Sequence, residues 1–202
     1  MSSFPEKWAP PEELPETSSP LKPKIERAIK LIQLQIKRLD ARREELMLRD
    51  RALFNTIVKY YSEGDTGHAA LYANELAELR RIINASLKAK LALEQVLERL
   101  TTIKELGDAI IAVSQASQVI KGVKPSITSL LPEAEEELSK VDELLSGVLT
   151  TATQVGVPEA TSYMVSESAE QILQEAARVA EKILKEKLPE LPRSQPESPS
   201  EQ

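Results

Sequence analysis

Few residues in this chain could do covalent chemistry. Carboxylates cluster at Glu44-Glu45 and Glu135-Glu136-Glu137, His68 is the single histidine, and cysteine is absent. A general acid/base pair must converge on one reacting group, and neighbouring helical residues diverge, so these acid runs read as solvated helix faces. His68 stands beside a glycine-rich turn and reads as a turn or packing residue rather than a ligand. There is no phosphate-binding glycine loop, no His/Cys cluster and no nucleophile–base pairing. The expectation is a protein without enzymatic activity, cofactor or metal, whose energy comes from a partner. The lack of cysteine also excludes disulfides and fits a reducing compartment.

Other residues have types and spacing suited to recognition. In "KLPELPRSQP", Leu188 and Leu191 sit three apart among Pro189, Pro192 and Pro196. Prolines hold such a segment extended and reduce the entropy lost on docking, which leaves two leucines as apolar anchors. Lys24, Arg27, Arg38, Arg42 and Arg49 fall within about 60° of one another when placed at 100° per residue. For a lone helix the commoner meaning is a solvated face; the alternative is a surface for anionic lipid or for an acidic segment. Each such cation gains ~1 kcal/mol at an anionic membrane. No aromatic residues interleave the cations and the chain carries a net charge of −6, which argues against nucleic acid.

The elements that must position these residues are helices. Six of the thirteen prolines fall in residues 5–23 and four in 189–199, while none occurs between Lys24 and Lys124. Proline inside a helix costs ~3 kcal/mol, so this window can hold very long helices. One break interrupts it, "YSEGDTGHAA", where Gly64, Asp65 and Gly67 supply turn chemistry and Asp65 or Thr66 can cap the next helix. Before the break, Ile25, Ile29, Ile32, Ile36, Leu39, Leu46, Leu53, Ile57 and Tyr60 recur in steps of four and three, with Arg43 and Asp50 as polar exceptions. After it, Tyr72, Leu76, Leu79, Ile83, Leu87, Leu97, Leu100 and Ile103 form a looser stripe. The pattern predicts an antiparallel hairpin whose first helix is ~60 Å long and whose second could exceed that.

A joint is expected near Gly107, and the second helix should end near Lys121. Pro132 and Glu133 suit the first turn of a further helix. The last helix should bury Val165, Ala169, Ile172, Ala176, Val179 and Ile183, with Ser162 or Ser166 as its cap. The small, polar linker before it predicts loose tethering. Only seven aromatic residues are present, too few for a conventional globular core, which favours helices that bury stripes. The fold class is therefore all-α: a long antiparallel helical hairpin plus smaller C-terminal helices, flanked by disordered proline-rich termini. The boundaries are an arm over 1–21, a hairpin core over 22–125, acidic regulatory helices over 126–187 and a tail over 188–202.

Charge is segregated along the chain. Residues 22–61 carry eleven basic and five acidic residues, whereas 126–202 carry six basic and fifteen acidic. The acidic stretch Glu133 to Glu143 could fold back over the basic helix and hold it inactive, so deleting 126–202 should promote assembly or membrane binding. No apolar run approaches the ~20 residues of a membrane span. The N-terminal stretch lacks a basic n-region and an apolar h-region, which reads as no signal peptide and a cytoplasmic protein.

The basic first helix, the turn, an alanine-rich second helix carrying a Tyr-Ala-x-Glu-Leu segment (Tyr72 to Leu76) and the acidic downstream region together resemble ESCRT-III. The Pro-punctuated leucine tail narrows the resemblance to the archaeal CdvB-type cell division proteins, over roughly residues 22–196. No single hairpin motif is specific; the order, the charge polarity and the tail carry the likeness. It implies homo- and hetero-polymers with paralogues on the inner face of the membrane at the division site, membrane constriction and scission, and remodelling by an AAA ATPase of CdvC type. It also implies that Leu188, Pro189, Leu191 and Pro192, with Pro196 downstream, match a Leu-Pro-x-Leu-Pro motif read by the ATPase's microtubule-interacting-and-trafficking (MIT) domain. Only six residues follow Pro196, so no winged helix follows the motif and a shorter paralogue is expected. Family members often touch membrane with an N-terminal segment. Phe4 and Trp8 suit a bilayer interface, whereas Glu6, Glu12, Glu13 and Glu16 oppose it, and an arm that is disordered or packed on a neighbour is the equal alternative. The competing readings of the whole chain are a cytosolic coiled-coil scaffold or adaptor and, more weakly, a chaperone-like hairpin.

Overall fold

The computed structural model describes residues 21–103, 106–154 and 162–191. Every regular element among them is a helix: α1 (Leu21–Ser62), α2 (Thr66–Thr101), α3 (Leu106–Leu130), α4 (Ala134–Gln154) and α5 (Ser162–Lys187). Pro23 falls in the first turn of α1, where its missing N–H has no intrahelical partner to lose.

The hairpin turn uses the expected residues. Gly64 takes φ 78°, a left-handed conformation that a side chain would strain. That lets the Asp65 and Gly64 N–H groups donate to the Tyr60 and Tyr61 carbonyls at 3.0 and 3.2 Å, closing α1 in a Schellman arrangement. Asp65 then caps α2 by accepting from the His68 N–H at 3.0 Å. Ion pairs Arg49–Glu75, Asp50–Arg80 and Asp40–Lys90 run in opposite chain directions on the two helices, so α1 and α2 are antiparallel.

The apolar residues divide into two clusters. The larger gathers the first half of α1, the second half of α2, and α3, α4 and α5 around Ile32, Leu39, Leu93, Ile120, Ile127, Leu138 and Leu145. The smaller lies at the hairpin tip, around Leu46, Ile57, Ala69, Leu76, Leu79 and Ile83. α4 packs on α1 and α3, and α5 packs on α2 and α3.

Several expectations are corrected here. α2 stops at Thr101, whose follower Thr102 caps it by donating to the Glu98 carbonyl, so α2 is shorter than α1 rather than longer. The joint does lie near Gly107, between Thr101 and Leu106, with Gly107 itself inside α3. α3 does not end near Lys121; it runs on through Pro125 to Leu130. Proline there leaves the Lys121 carbonyl without its helical donor, but Ile120, Val123 and Ile127 are buried around it and tertiary packing outweighs the local cost. Gly122 is a packing position, since a Cβ there would meet the Leu173 Cδ1 at 3.0 Å. Pro132 and Glu133 form the turn before α4, and the Ala134 N–H donates to Leu131 at 2.9 Å. α5 is docked rather than loosely tethered: Val165, Ala169, Ile172, Ala176 and Ala180 are buried. Val179 is exposed instead of buried, because the small Ala180 makes the close approach.

Candidate functional site: a charge seam, an outer face and a seated tail

α1 presents its cations to three different surroundings. Arg38 pairs with Glu137 of α4 at 3.0 Å, and the Lys24 ammonium donates to the Gly147 carbonyl of α4 at 3.5 Å. These two contacts set α4 antiparallel to α1. Gly147 permits the second one, since a Cβ would lie 3.3 Å from the ammonium. The acidic helix is fixed in turn to α3: Ser117 donates to Asp142 at 2.8 Å and Lys124 to Ser139 at 3.0 Å. The acidic segment thus covers part of the basic helix.

Magnitudes show what holds the cover. The Arg38–Glu137 pair is partly solvated and contributes about 1 kcal/mol or less. Under α4, Leu138, Val141, Leu145 and Val148 are all fully buried, each worth about 1.5–3 kcal/mol. Apolar burial provides the closure, and the charges set its register.

The remaining cations of the stripe do not form one free surface. Arg49 pairs with Glu75 across the hairpin, and Arg42 pairs with Glu45 on its own helix at 2.6 Å. Arg27 is exposed and has no ion-pair partner among the described residues. Beside it lies a face that the stripe did not include. Lys30 and Lys37 are exposed and without an ion pair among the described residues, and Leu34 stands between them 38% exposed. This face points away from Ile32, Leu39 and Leu46. In the 100° projection the two lysines lie next to the arginine stripe rather than within it, on either side of the outward Leu34.

At the tip, the Tyr60 ring stacks on His68 at 5.3 Å and on Tyr72 at 5.5 Å. His68 donates to Asp65 through its backbone and pairs with it through Nδ1 at 2.7 Å; these hydrogen bonds hold the Asp65 carboxyl below its usual range. Glu136, in the acid run, pairs with Lys140 at 2.5 Å, and that hydrogen bond likewise lowers its carboxyl. No group of three His, Cys, Asp or Glu placed to hold a metal occurs among the described residues. No helix of the described residues is long and apolar enough to cross a membrane.

The tail leaves α5 with the Leu188 N–H still donating to the Leu184 carbonyl at 2.9 Å. Pro189 ends that pattern. Leu188 is half-buried, and Leu191 packs against the tip cluster. Pro192, Pro196, Phe4 and Trp8 lie outside the described residues.

No family model and no solved structure matches the chain significantly. It is 37% identical over 179 residues to Cell division protein B1 of Sulfolobus acidocaldarius, an alignment covering 89% of this chain and 84% of the relative. It is 31% identical over 182 residues to Cell division protein B of the same organism, covering 87% of this chain and 69% of that one. Likeness of this extent, on an all-helical chain whose basic hairpin is covered by an acidic helix, identifies the chain as a member of the CdvB-type, ESCRT-III-like family of cell division proteins.

Proposed function

We propose that the chain polymerises on the cytoplasmic face of the membrane at the division site, alone and with paralogues, and drives constriction and scission. An AAA ATPase of CdvC type then remodels the polymer through the tail. The protein itself carries no catalysis. In this reading the described form is the closed subunit: α4 covers the Lys24 and Arg38 part of α1, and release of α4 exposes cations and apolar surface for assembly.

The observation that carries the membrane part is the outer face of α1, where Arg27, Lys30 and Lys37 flank the exposed Leu34. Cations beside an outward leucine suit an anionic interface, and a plain scaffold needs neither. Co-sedimentation with anionic and neutral liposomes tests it. At ~1 kcal/mol per cation, Lys30→Gln with Lys37→Gln should lower binding to anionic liposomes about 30-fold. Unchanged binding would move the membrane contact elsewhere. A small oligomer indifferent to lipid would favour the cytosolic scaffold.

A further inference from the structure

The two most exposed large apolar side chains among the described residues are Leu71, 68% exposed, and Leu48, 66% exposed. Neither belongs to the apolar clusters, and neither is part of the outer face around Leu34. They stand on opposite flanks of the hairpin, in surroundings of opposite charge.

Leu48 forms the lip of a cleft of about 560 Å³ between α1 and α5. Met47, Leu87, Ile183 and Leu184 give the cleft an apolar floor, and its rim is basic. Arg51 and Lys187 are exposed there and without an ion pair among the described residues. Arg43 is held by Asp40, and Glu44 is the one anion among the lining residues. Leu71 opens a strip on α2 that continues through Glu75, Glu78 and Ile82, all of them exposed. At ~100° per residue these four fall within ~60° of one another. Glu75 is held by Arg49, which projects ~160° away from Met47 and Arg51, so the strip faces out from the flank opposite the cleft. The pairs Arg49–Glu75 and Arg81–Glu78 are solvent-exposed, and carboxylates in such pairs are readily exchanged for other partners.

A ridge of two apolar residues around two carboxylates complements an apolar cleft with two unpaired cations. The lengths also agree: the strip from Leu71 to Ile82 is ~16 Å, and the cleft from Arg43 to Arg51 is ~12 Å along α1. We infer that the α2 strip of one copy docks in the α1–α5 cleft of a second copy, with Leu71 against Leu48 and the carboxylates toward Arg51 and Lys187. The two surfaces differ and lie on opposite flanks, so the contact is heterologous and each docked copy presents another cleft; it builds rows rather than closed dimers. α4 lines neither surface, and Ile183, Leu184 and Lys187 are walls only while α5 is docked. The contact therefore belongs to closed subunits and requires neither lipid nor release of α4.

Sedimentation velocity of the full chain without lipid tests this. The unsubstituted chain should grow in size as its concentration rises into the millimolar range, and added salt should weaken the association. Leu48→Ser and Leu71→Ser, both at exposed positions, should each weaken it about tenfold or more. Arg51→Glu, which leaves the apolar floor intact, should do the same through charge alone. A one-to-one mixture of the Leu48→Ser and Leu71→Ser chains should form dimers that grow no further, because the first keeps its strip and the second its cleft. An unsubstituted chain that is monomeric throughout would overturn the inference. So would any of the three variants associating as the unsubstituted chain does, or a mixture no larger than its components. None of these results touches the membrane reading, whose own test is liposome binding.

Discussion

The two ends of the molecule are built differently. At the wide end five helices share one large apolar cluster, and α4 and α5 close over the hairpin. At the tip α1 and α2 carry a small cluster, a stack of three rings and an ion pair on the buried Asp50. The wide end gains its stability from elements that belong to the acidic part of the chain. The tip depends mainly on the hairpin itself, with the end of α5 and the tail laid on it.

Substitutions at the two ends should separate in kind. The largest effect belongs to the tip. Asp50 is fully buried and receives the Arg80 guanidinium at 2.8 Å. Arg80→Ala leaves that carboxylate buried and unpaired, so denaturant unfolding should show a loss of about 3–5 kcal/mol. Replacing both residues by leucine should recover most of it. A small effect of Arg80→Ala would remove the ion pair from the account of the tip.

Next comes the wide end. Leu138 is fully buried beneath α4, and Leu138→Ala should cost about 2–5 kcal/mol. Hydrogen exchange should show this loss concentrated in α4, with the tip amides unaffected; a uniform loss would mean that the two ends unfold as one unit. Gln35 points the opposite way. It is fully buried in α1, and neither its amide nitrogen nor its oxygen has a hydrogen-bond partner among the described residues. Gln35→Leu should therefore stabilise the closed form by about 1–3 kcal/mol, raise Tm and slow assembly. No gain would indicate a bridging water.

The smallest effects are at the surface. Arg38→Ala should cost about 1 kcal/mol or less and shift α4 rather than free it. Asp65 has its carboxyl held below the usual value by bonds from His68. Its contribution is present above the unfolded value of 3.8 and is lost as pH falls through the lower folded value, so an acid titration should fray the start of α2 only below about pH 4. Fraying of the same amides near neutral pH would assign the cap to another group.

The hairpin was legible because its signals are local. A proline-free window, a four-three stripe and a Gly-Asp-x-Gly turn each state their structure within a few residues. What escaped depends on distant partners. Local propensity puts a helix end near Lys121, whereas the burial of Ile120, Val123 and Ile127 carries α3 on through Pro125. The composition of the linker before α5 says how a connection behaves, not whether Ala169, Ile172 and Ala176 have a surface to bury against. Gln35 broke no pattern because one polar residue in a stripe is common. The cation stripe lies on α1, but only the folded chain shows that Arg38 and Arg49 are taken up by Glu137 and Glu75 while Lys30 and Lys37 face outward. The seat of Leu191 joins residues more than a hundred positions apart, which no local pattern could reveal.

α4, held mainly by apolar burial, covers a hairpin that we propose assembles on anionic membrane. Residue 125 falls inside α3, so a truncation there would cut a helix, and a point change in the full chain is the cleaner test. Leu138→Asp places an unpaired charge beneath α4 and should release it. Electron microscopy of this variant with anionic liposomes should show filaments or coated tubes at concentrations where the unsubstituted chain shows few. A folded variant that stays monomeric and ignores the liposomes would contradict the claim.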